Sequence, residues 1–210
     1  EVISTDWNWI FIYPEENVAT INELVIESGR PVRFKLTSAT VMTSFFIPQL
    51  GSQMYAMAGM LTQLNLLADE PGTYLGQNIE YSGTGYHKMR FDVHAKTAEE
   101  FKAWVQQAKQ SSESLSTERY NEISGKQIMD YPVTTFSSVV PNLFHDVMAP
   151  YMEWMGHIGV DPEHYHHMNT TDHGNHEMQD SHSGHDMNHG DHSGHDMGEM
   201  KTDTMKMNHH

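Results

Sequence analysis

Large apolar side chains stop at Tyr165, and this limit constrains what the chain can fold into more than any other feature. Beyond Tyr165 the sequence contains no aromatic residue and no large aliphatic residue other than Met. Such a segment cannot bury enough apolar surface to offset the backbone entropy lost on folding, about 1–2 kcal/mol per residue. The composition changes near Gly156, so we predict that 1–155 contains the core and that 156–210 is a disordered tail.

The first 96 residues carry the pattern of a β-domain. Apolar and polar residues alternate along 32–36, 64–66 and 89–93, which is typical of half-buried strands. The preceding segment, 19–27, is expected to pair with the strand at 32–36 across the turn at 28–31. Several short strands at this spacing predict a mainly β fold, a Greek-key sandwich over 1–96.

Helical signals follow the sandwich and predict a small helical extension over 97–155. Thr97 to Glu100 form a capping box ahead of an amphipathic helix that is expected to end near Gln110. A second, weaker helix is predicted over 117–128. Pro141 is suited to open a third helix, which Pro150 should kink or end.

Charge and cysteine content exclude several classes of function. The chain has no Cys, so disulfides, thiolate metal centres, Fe–S clusters and Cys nucleophiles are ruled out. Twelve basic and 28 acidic residues give a net charge of −16, which disfavours nucleic acids and anionic lipids as partners. No hydrolase or phosphate-binding motif occurs, and no apolar run reaches the length of a membrane span, so the chain as written is expected to be soluble.

Histidine and methionine are concentrated in the tail. The chain has 16 of each, and the sequence His-Ser-Gly-His-Asp-Met occurs at 182–187 and again at 192–197. Imidazole binds Cu(II) and thioether sulfur selects Cu(I), so the mixture predicts labile copper on the tail. The candidate ligands are His164, His166, His167, His182, His185, Met187, His192, His195 and Met197. A solubilising tail without a metal role, or His-rich material added for expression, remains an alternative.

Isolated histidines ahead of the His-rich segment do not predict a metal centre. His87, His94, His145 and His157 are separated from one another in sequence. A lone histidine is more often a surface residue or a hydrogen-bonded core residue than a ligand. A blue-copper site would also need Cys, so no redox metal is expected in the folded domain.

Long irregular segments resemble one known family. They are the aromatic segment 6–14, the segments 41–53 and 54–60, the turn 70–74, and Tyr81-Ser82-Gly83-Thr84-Gly85. Together they closely resemble subunit II of the cytochrome bo type ubiquinol oxidases in the heme-copper oxidase superfamily. The likeness covers residues 1 to 155, because 136–144 resembles the helical extension that this branch carries. The resemblance implies a cupredoxin-like sandwich on the periplasmic face of the bacterial inner membrane.

The copper ligands of the related cytochrome c oxidase branch are missing. In that branch, subunit II holds a binuclear copper centre with one His before a Pro-x-Leu-Gly turn, followed by two Cys, a Glu, a second His and a Met in one loop. The resemblance places Thr43, Tyr81, Gly83, Gly85 and Tyr86 at the lost positions and retains only Met89. It therefore implies that the folded domain binds no cofactor and that heme and copper lie in a partner, subunit I.

The function implied by this resemblance is that of a non-catalytic subunit in a proton-pumping ubiquinol:oxygen oxidoreductase of the aerobic respiratory chain. Its partners would be subunit I and other integral membrane subunits. The family also carries a lipoprotein signal and two transmembrane helices, so the chain is expected to be the extramembrane part. The expected docking surface, equally compatible with sandwich core for each side chain, comprises Phe45, Phe46, Met54, Tyr55, Met57 and Met60. The rival hypothesis is a free periplasmic protein that binds or delivers copper through its tail.

Overall fold

Residues 1–157 are described by the structure, a computed structural model, and within them the chain forms eleven strands and three α-helices. The strands are β1 (Val2–Ser4), β2 (Trp9–Tyr13), β3 (Val18–Ile21), β4 (Glu23–Glu27), β5 (Val32–Ser38), β6 (Thr43–Phe45), β7 (Met54–Ala56), β8 (Thr62–Leu66), β9 (Gly72–Gln77), β10 (Arg90–Lys96) and β11 (Thr134–Phe136). The helices are α1 (Ala98–Ala108), α2 (Thr117–Ser124) and α3 (Leu143–His157). The tail residues that the sequence nominates as copper ligands lie outside the described residues.

The strands form two main sheets and a small hairpin. The larger sheet has the order β11-β3-β2-β1-β5-β8, and the smaller has the order β4-β10-β9. Strand β1 pairs antiparallel with β2 and parallel with β5, with Ile3 opposite Ile10 and Val2 opposite Leu36. The hairpin consists of β6 and β7. This arrangement confirms the predicted mainly β sandwich.

An aromatic core fills the space between the two sheets. Phe45 and Phe91 stack with centroids 5.4 Å apart, and Trp9 meets both rings edge-on. Such pairs add to the stabilisation that burying their area provides. Phe45 is fully buried, so its assignment to a docking surface is wrong, because its ring packs into the sandwich core. The other five residues expected on that surface are half-buried or exposed: Phe46, Met54, Tyr55, Met57 and Met60.

A second core covers the opposite face of the larger sheet. Ile3, Ile10 and Ile21 point away from the aromatic core and pack against residues of α2 and α3. The larger sheet is therefore buried on both faces, which explains why β2 and β3 are buried at successive positions and not at alternate ones. The helical extension thus supplies the third layer of the fold.

The predicted pairing of 19–27 with the strand at 32–36 is wrong. Asn22, with a φ of 57°, divides the segment into β3 and β4, which enter different sheets. Strand β4 pairs in parallel with β10, placing Val25 opposite His94. The turn at 28–31 therefore carries the chain from the smaller sheet, which contains β4, to the larger sheet, which contains β5.

The three helices follow the local signals with two differences. The capping box at Thr97 is formed, and α1 ends close to the predicted residue. Helix α2 is shorter than predicted because Gly125 ends it. Helix α3 continues through Pro150 to His157 instead of ending there. No helix within residues 1–157 has the length and apolar character needed to cross a lipid bilayer.

Candidate functional site

The positions that, by the resemblance, correspond to copper ligands of the cytochrome c oxidase branch lie in one loop and in the strand beside it. Five of the six lie in the loop between β9 and β10, and Thr43 begins β6 beside it. Ser44 joins the two segments, because its backbone N–H donates to Asn78 Oδ1 over 2.9 Å and its Oγ accepts from the Ile79 N–H over 2.8 Å. This end of the molecule is therefore the candidate functional site.

Met89, the one position that keeps its residue type, is already saturated with protein contacts. Its side chain is 1% exposed, and its sulfur accepts hydrogen bonds from Asn78 Nδ2 at 3.4 Å and Ser82 Oγ at 3.6 Å. Asn78 also donates to the Glu80 carbonyl over 2.8 Å. The thioether is thus fixed as a packed acceptor of the loop, within a cluster that has no second soft donor.

Thr43 faces away from this cluster. It is buried, and its Oγ1 donates to Ser4 Oγ over 2.7 Å. Ser4 Oγ in turn lies 3.3 Å from Ser38 Oγ, so the hydroxyl is used in a chain that joins β6 to β1 and β5. The position of the first histidine therefore serves strand-to-strand contacts.

Trp7 occupies the space beside the two glycines of the loop. Its Nε1 donates to the Ser82 carbonyl over 3.3 Å, and its ring lies over Gly85. A Cβ atom added at Gly85 would lie 2.2 Å from Cδ2 of Trp7, and one added at Gly83 would lie 3.6 Å from Cζ2. A cysteine side chain at position 85 therefore does not fit unless the indole or the loop moves.

Tyr81 and Tyr86 complete the loop at its outer edge. Their rings meet edge-on with centroids 5.2 Å apart, and Tyr81 is 72% exposed. Tyr86 starts a 3-10 turn, Tyr86–Lys88, that returns the chain to β10. Tyr86, at the position of the second histidine, therefore packs against Tyr81, whose ring is exposed to solvent.

These residues do not fit a binuclear copper centre. None of the five lost ligand positions carries a side-chain nitrogen or thiolate donor. The sulfur of Met89, at the retained position, is enclosed by Asn78 and Ser82. Within residues 1–157 no group of three or more His, Asp or Glu side chains is placed to hold a metal ion. His87 contacts the Thr84 carbonyl at 3.1 Å, and His94 lies between Thr73 and Glu23 at 3.2 and 3.3 Å.

Three residues that shape the site have no assigned role in the sequence analysis. Trp7 and Ser82 lie in segments that carry the family resemblance and Asn78 lies in none, yet together they enclose Met89 and the glycines. The nearest signal was the aromatic segment around Trp7, which fitted ordinary core packing equally well. Nothing in the local spacing indicates Asn78, because its partners come from different segments.

Two family models match the described chain. Residues 11–96 match the periplasmic domain of cytochrome c oxidase subunit II, and residues 109–155 match the COX aromatic rich motif. The periplasmic domain of subunit II of cytochrome oxidase from Bradyrhizobium japonicum has a similar fold, with a TM-score of 0.50 and 24% identity over 51% of this chain and 90% of that one. The sandwich is therefore cupredoxin-like, as the resemblance implied.

The named relatives of this chain indicate which branch of the family it resembles most. Ubiquinol oxidase subunit 2 from Acetobacter aceti is 48% identical over 155 residues, which are 74% of this chain and 50% of that protein. Cytochrome bo(3) ubiquinol oxidase subunit 2 from Pseudomonas aeruginosa is 46% identical over 72% of this chain and 45% of its own length. The chain spans about half the length of these relatives. It belongs to the oxidase subunit II family, among members named as subunit 2 of ubiquinol oxidases.

Proposed function

We propose that this chain is the extramembrane part of subunit II of a quinol:oxygen oxidoreductase, that it lies on the periplasmic face of the inner membrane, and that it has a structural rather than a catalytic role. The observation that carries the proposal is the closed loop between β9 and β10, which we call the ligand loop, in which Trp7 packs on Gly85 and Met89 is hydrogen-bonded. A subunit that receives electrons from a soluble carrier needs a redox centre here. A quinol dissolved in the membrane can instead reduce a heme in the partner subunit I directly.

The same end of the sandwich presents apolar side chains to solvent. Three loops meet around the segment 6–8: Thr40 Oγ1 donates to Asp6 over 2.7 Å, Trp7 donates to Ser82, and Gln127 Nε2 donates to Asp6 over 3.2 Å. Exposed apolar residues on these loops, which we call the apolar rim, are Val41, Met42, Ile79, Tyr81 and Met129. Concentration of such residues at one end is typical of a protein interface.

The apolar rim is the proposed docking surface for subunit I and the other integral membrane subunits. The sequence nominated a different set for this role, from Phe45 to Met60, of which Tyr55 is 38% exposed. Tyrosine and methionine are enriched at interfaces because their large side chains bury much area. The heme and copper of the oxidase belong, in this proposal, to subunit I.

Assembly of the complete oxidase tests the proposal. Tyr81→Asp or Met42→Asp in the full-length subunit, expressed with its partner subunits, should sharply lower recovery of the heme-bearing complex, because a buried charge at a hot spot costs on the order of 2–4 kcal/mol. Leu75→Asp is the control, because Leu75 is 40% exposed but lies on β9 in the smaller sheet. Normal assembly with both rim variants would exclude docking there.

The copper-protein alternative makes an opposite prediction for the same preparation. If the chain acts as a free copper carrier, it should be recovered as a soluble species with stoichiometric copper and without heme. Co-purification with a heme-bearing membrane complex that oxidises quinol supports the oxidase role. The relatives named above favour the oxidase role, since their names describe oxidase subunits.

A further inference from the structure

The loop between α2 and β11 lies against the candidate functional site. Its residues 127–131, which we call the brace, belong to the aromatic-rich motif and are distant in sequence from the sandwich loops. Asn8 Nδ2 donates to the Ile128 carbonyl over 2.9 Å. Asn22 Nδ2 donates to the Tyr131 carbonyl over 3.0 Å. Two buried or half-buried amides of the sandwich therefore hold the backbone of the brace.

These two asparagines also bind each other. Asn22 Nδ2 donates to Asn8 Oδ1 over 2.9 Å, and Asn22 Oδ1 accepts from the Trp9 N–H over 2.9 Å. Asn8 is fully buried, so losing its partners would leave unsatisfied polar groups in the interior. The contact between brace and sandwich is thus part of a polar network rather than a surface encounter.

Three charged side chains, Asp6, Lys88 and Asp130, add contacts at the edge of the same surface. The Asp6 carboxylate accepts from Thr40 with one oxygen and from Gln127 with the other. Lys88 Nζ lies 3.0 Å from Asp130 Oδ2, and Lys88 ends the 3-10 turn of the ligand loop. One end of the brace therefore touches the segment before Trp7, and the other touches the loop that Trp7 covers.

The segment 6–8 stands between the brace and the ligand loop. Asp6 and Asn8 bind the brace, while the residue between them, Trp7, packs on Gly85 and donates to Ser82. Trp7 has a φ of 70°, a conformation that a residue of this size adopts only where its surroundings impose it. The contacts on either side of Trp7 supply that constraint.

We propose that the aromatic-rich motif, through the brace, orders the loop 79–89, where the described residues form no metal site that could do so. The brace fixes Asp6 and Asn8, these fix Trp7, and Trp7 together with the Lys88–Asp130 pair fixes the loop. The extension is then a structural requirement of the sandwich's functional end. This inference concerns the chain itself and holds whether or not the proposed oxidase role is correct.

Hydrogen exchange of the full chain tests this coupling. A Gln127→Ala/Asp130→Asn variant removes the amide contact and the ion pair of the brace, and Asn tolerates the φ of 57° at position 130. Amide exchange over 79–89 should then rise roughly three- to tenfold although no residue of that loop is changed. Because coupling is reciprocal, Lys88→Ala should raise exchange over 127–131. Asn8→Leu should raise exchange in both segments.

The matched control is Arg119→Ala, which removes two ion pairs inside the extension, to Glu113 and Glu122, each at 3.0 Å. It should leave exchange over 79–89 unchanged. Unchanged exchange over 79–89 in the double variant would overturn the proposal. An equal rise with Arg119→Ala would also overturn it, because the effect would then reflect general loosening of the extension. If Asn8→Leu does not fold, the double variant still decides, since both of its residues are exposed.

Discussion

Gly85 is the residue whose size the ligand loop tolerates least. Its φ of −88° suits any residue, so the restriction comes from the Trp7 ring and not from the backbone. We expect Gly85→Ala to lower the free energy of unfolding by about 1–3 kcal/mol through overpacking. Urea denaturation measures the change, and Gly72→Ala, whose added Cβ would meet only Tyr74 at 3.8 Å, should cost little.

A double-mutant cycle isolates the cause of that cost. In a Trp7→Ala background the same Gly85→Ala change should be much less destabilising, because the clashing ring is absent. An equal cost in both backgrounds would show that Trp7 does not limit the residue at position 85.

Tyr120 predicts a loss of stability at alkaline pH. It is buried in the second core, and burial raises its pKa to about 12 from an ordinary value near 10. The folded chain therefore holds this proton more tightly than the unfolded chain. Its contribution is complete below pH 10 and is lost as the pH rises toward 12.

Urea denaturation at pH 9 and pH 11 measures this effect. Tyr120→Phe should reduce the loss of stability between the two pH values, although burial of Tyr13, which also raises its pKa, leaves part of the loss in place. Tyr81→Phe is the matched control, since that ring is 72% exposed in the folded chain. The same pH dependence in Tyr120→Phe and the unchanged chain would contradict the prediction.

Pro150 is expected to weaken α3. It lies inside the helix and is exposed, so its ring occupies a position where the backbone N–H would otherwise donate to the Asp146 carbonyl. Pro150→Ala should raise the free energy of unfolding by about 1–3 kcal/mol, less the entropy that proline removes from the unfolded chain. Thermal or urea unfolding provides the measurement.

Pro141 supplies the comparison for this variant. It precedes α3, where proline is well tolerated, so Pro141→Ala should not stabilise the chain. If both substitutions stabilise equally, the gain does not arise from helix geometry.

Elements were predictable from the sequence where their signal was local. Alternation located β5, β8 and β10, and the capping box located α1, because each depends on neighbouring residues. The pairing of β4 with β10 was not predictable, since partner choice depends on which faces the rest of the chain covers. The same holds for the site: Trp7 meets Ser82 across 75 residues of sequence, and no spacing rule indicates that contact.

The His- and Met-rich tail remains a predicted copper-binding segment of the whole chain. Neutral imidazole is required for coordination, so Cu(II) affinity of the full chain should fall as the pH drops through about 6.5. Thioether sulfur does not titrate, so Cu(I) binding should persist at pH 5.5. Anaerobic titration of the full chain with each oxidation state measures both affinities.

A variant of the tail separates the two kinds of ligand. Met187→Leu together with Met197→Leu should weaken Cu(I) binding more than Cu(II) binding, since the histidines of both repeats, 182–187 and 192–197, are kept. Equal pH sensitivity for the two oxidation states would disprove this division between imidazole and thioether ligands.

The position of β11 has a consequence for how the chain folds. It pairs with β3, placing Phe136 opposite Ala19, and it occupies one end of the larger sheet. Until the chain has been made as far as Phe136, β3 is an unprotected sheet edge, which is a template for aggregation. Closure of this edge joins Phe136 to Ala19, which are 117 positions apart in the sequence, and such distant pairings slow folding. Newly made chains therefore pass through a vulnerable interval that ends only when the last strand is in place.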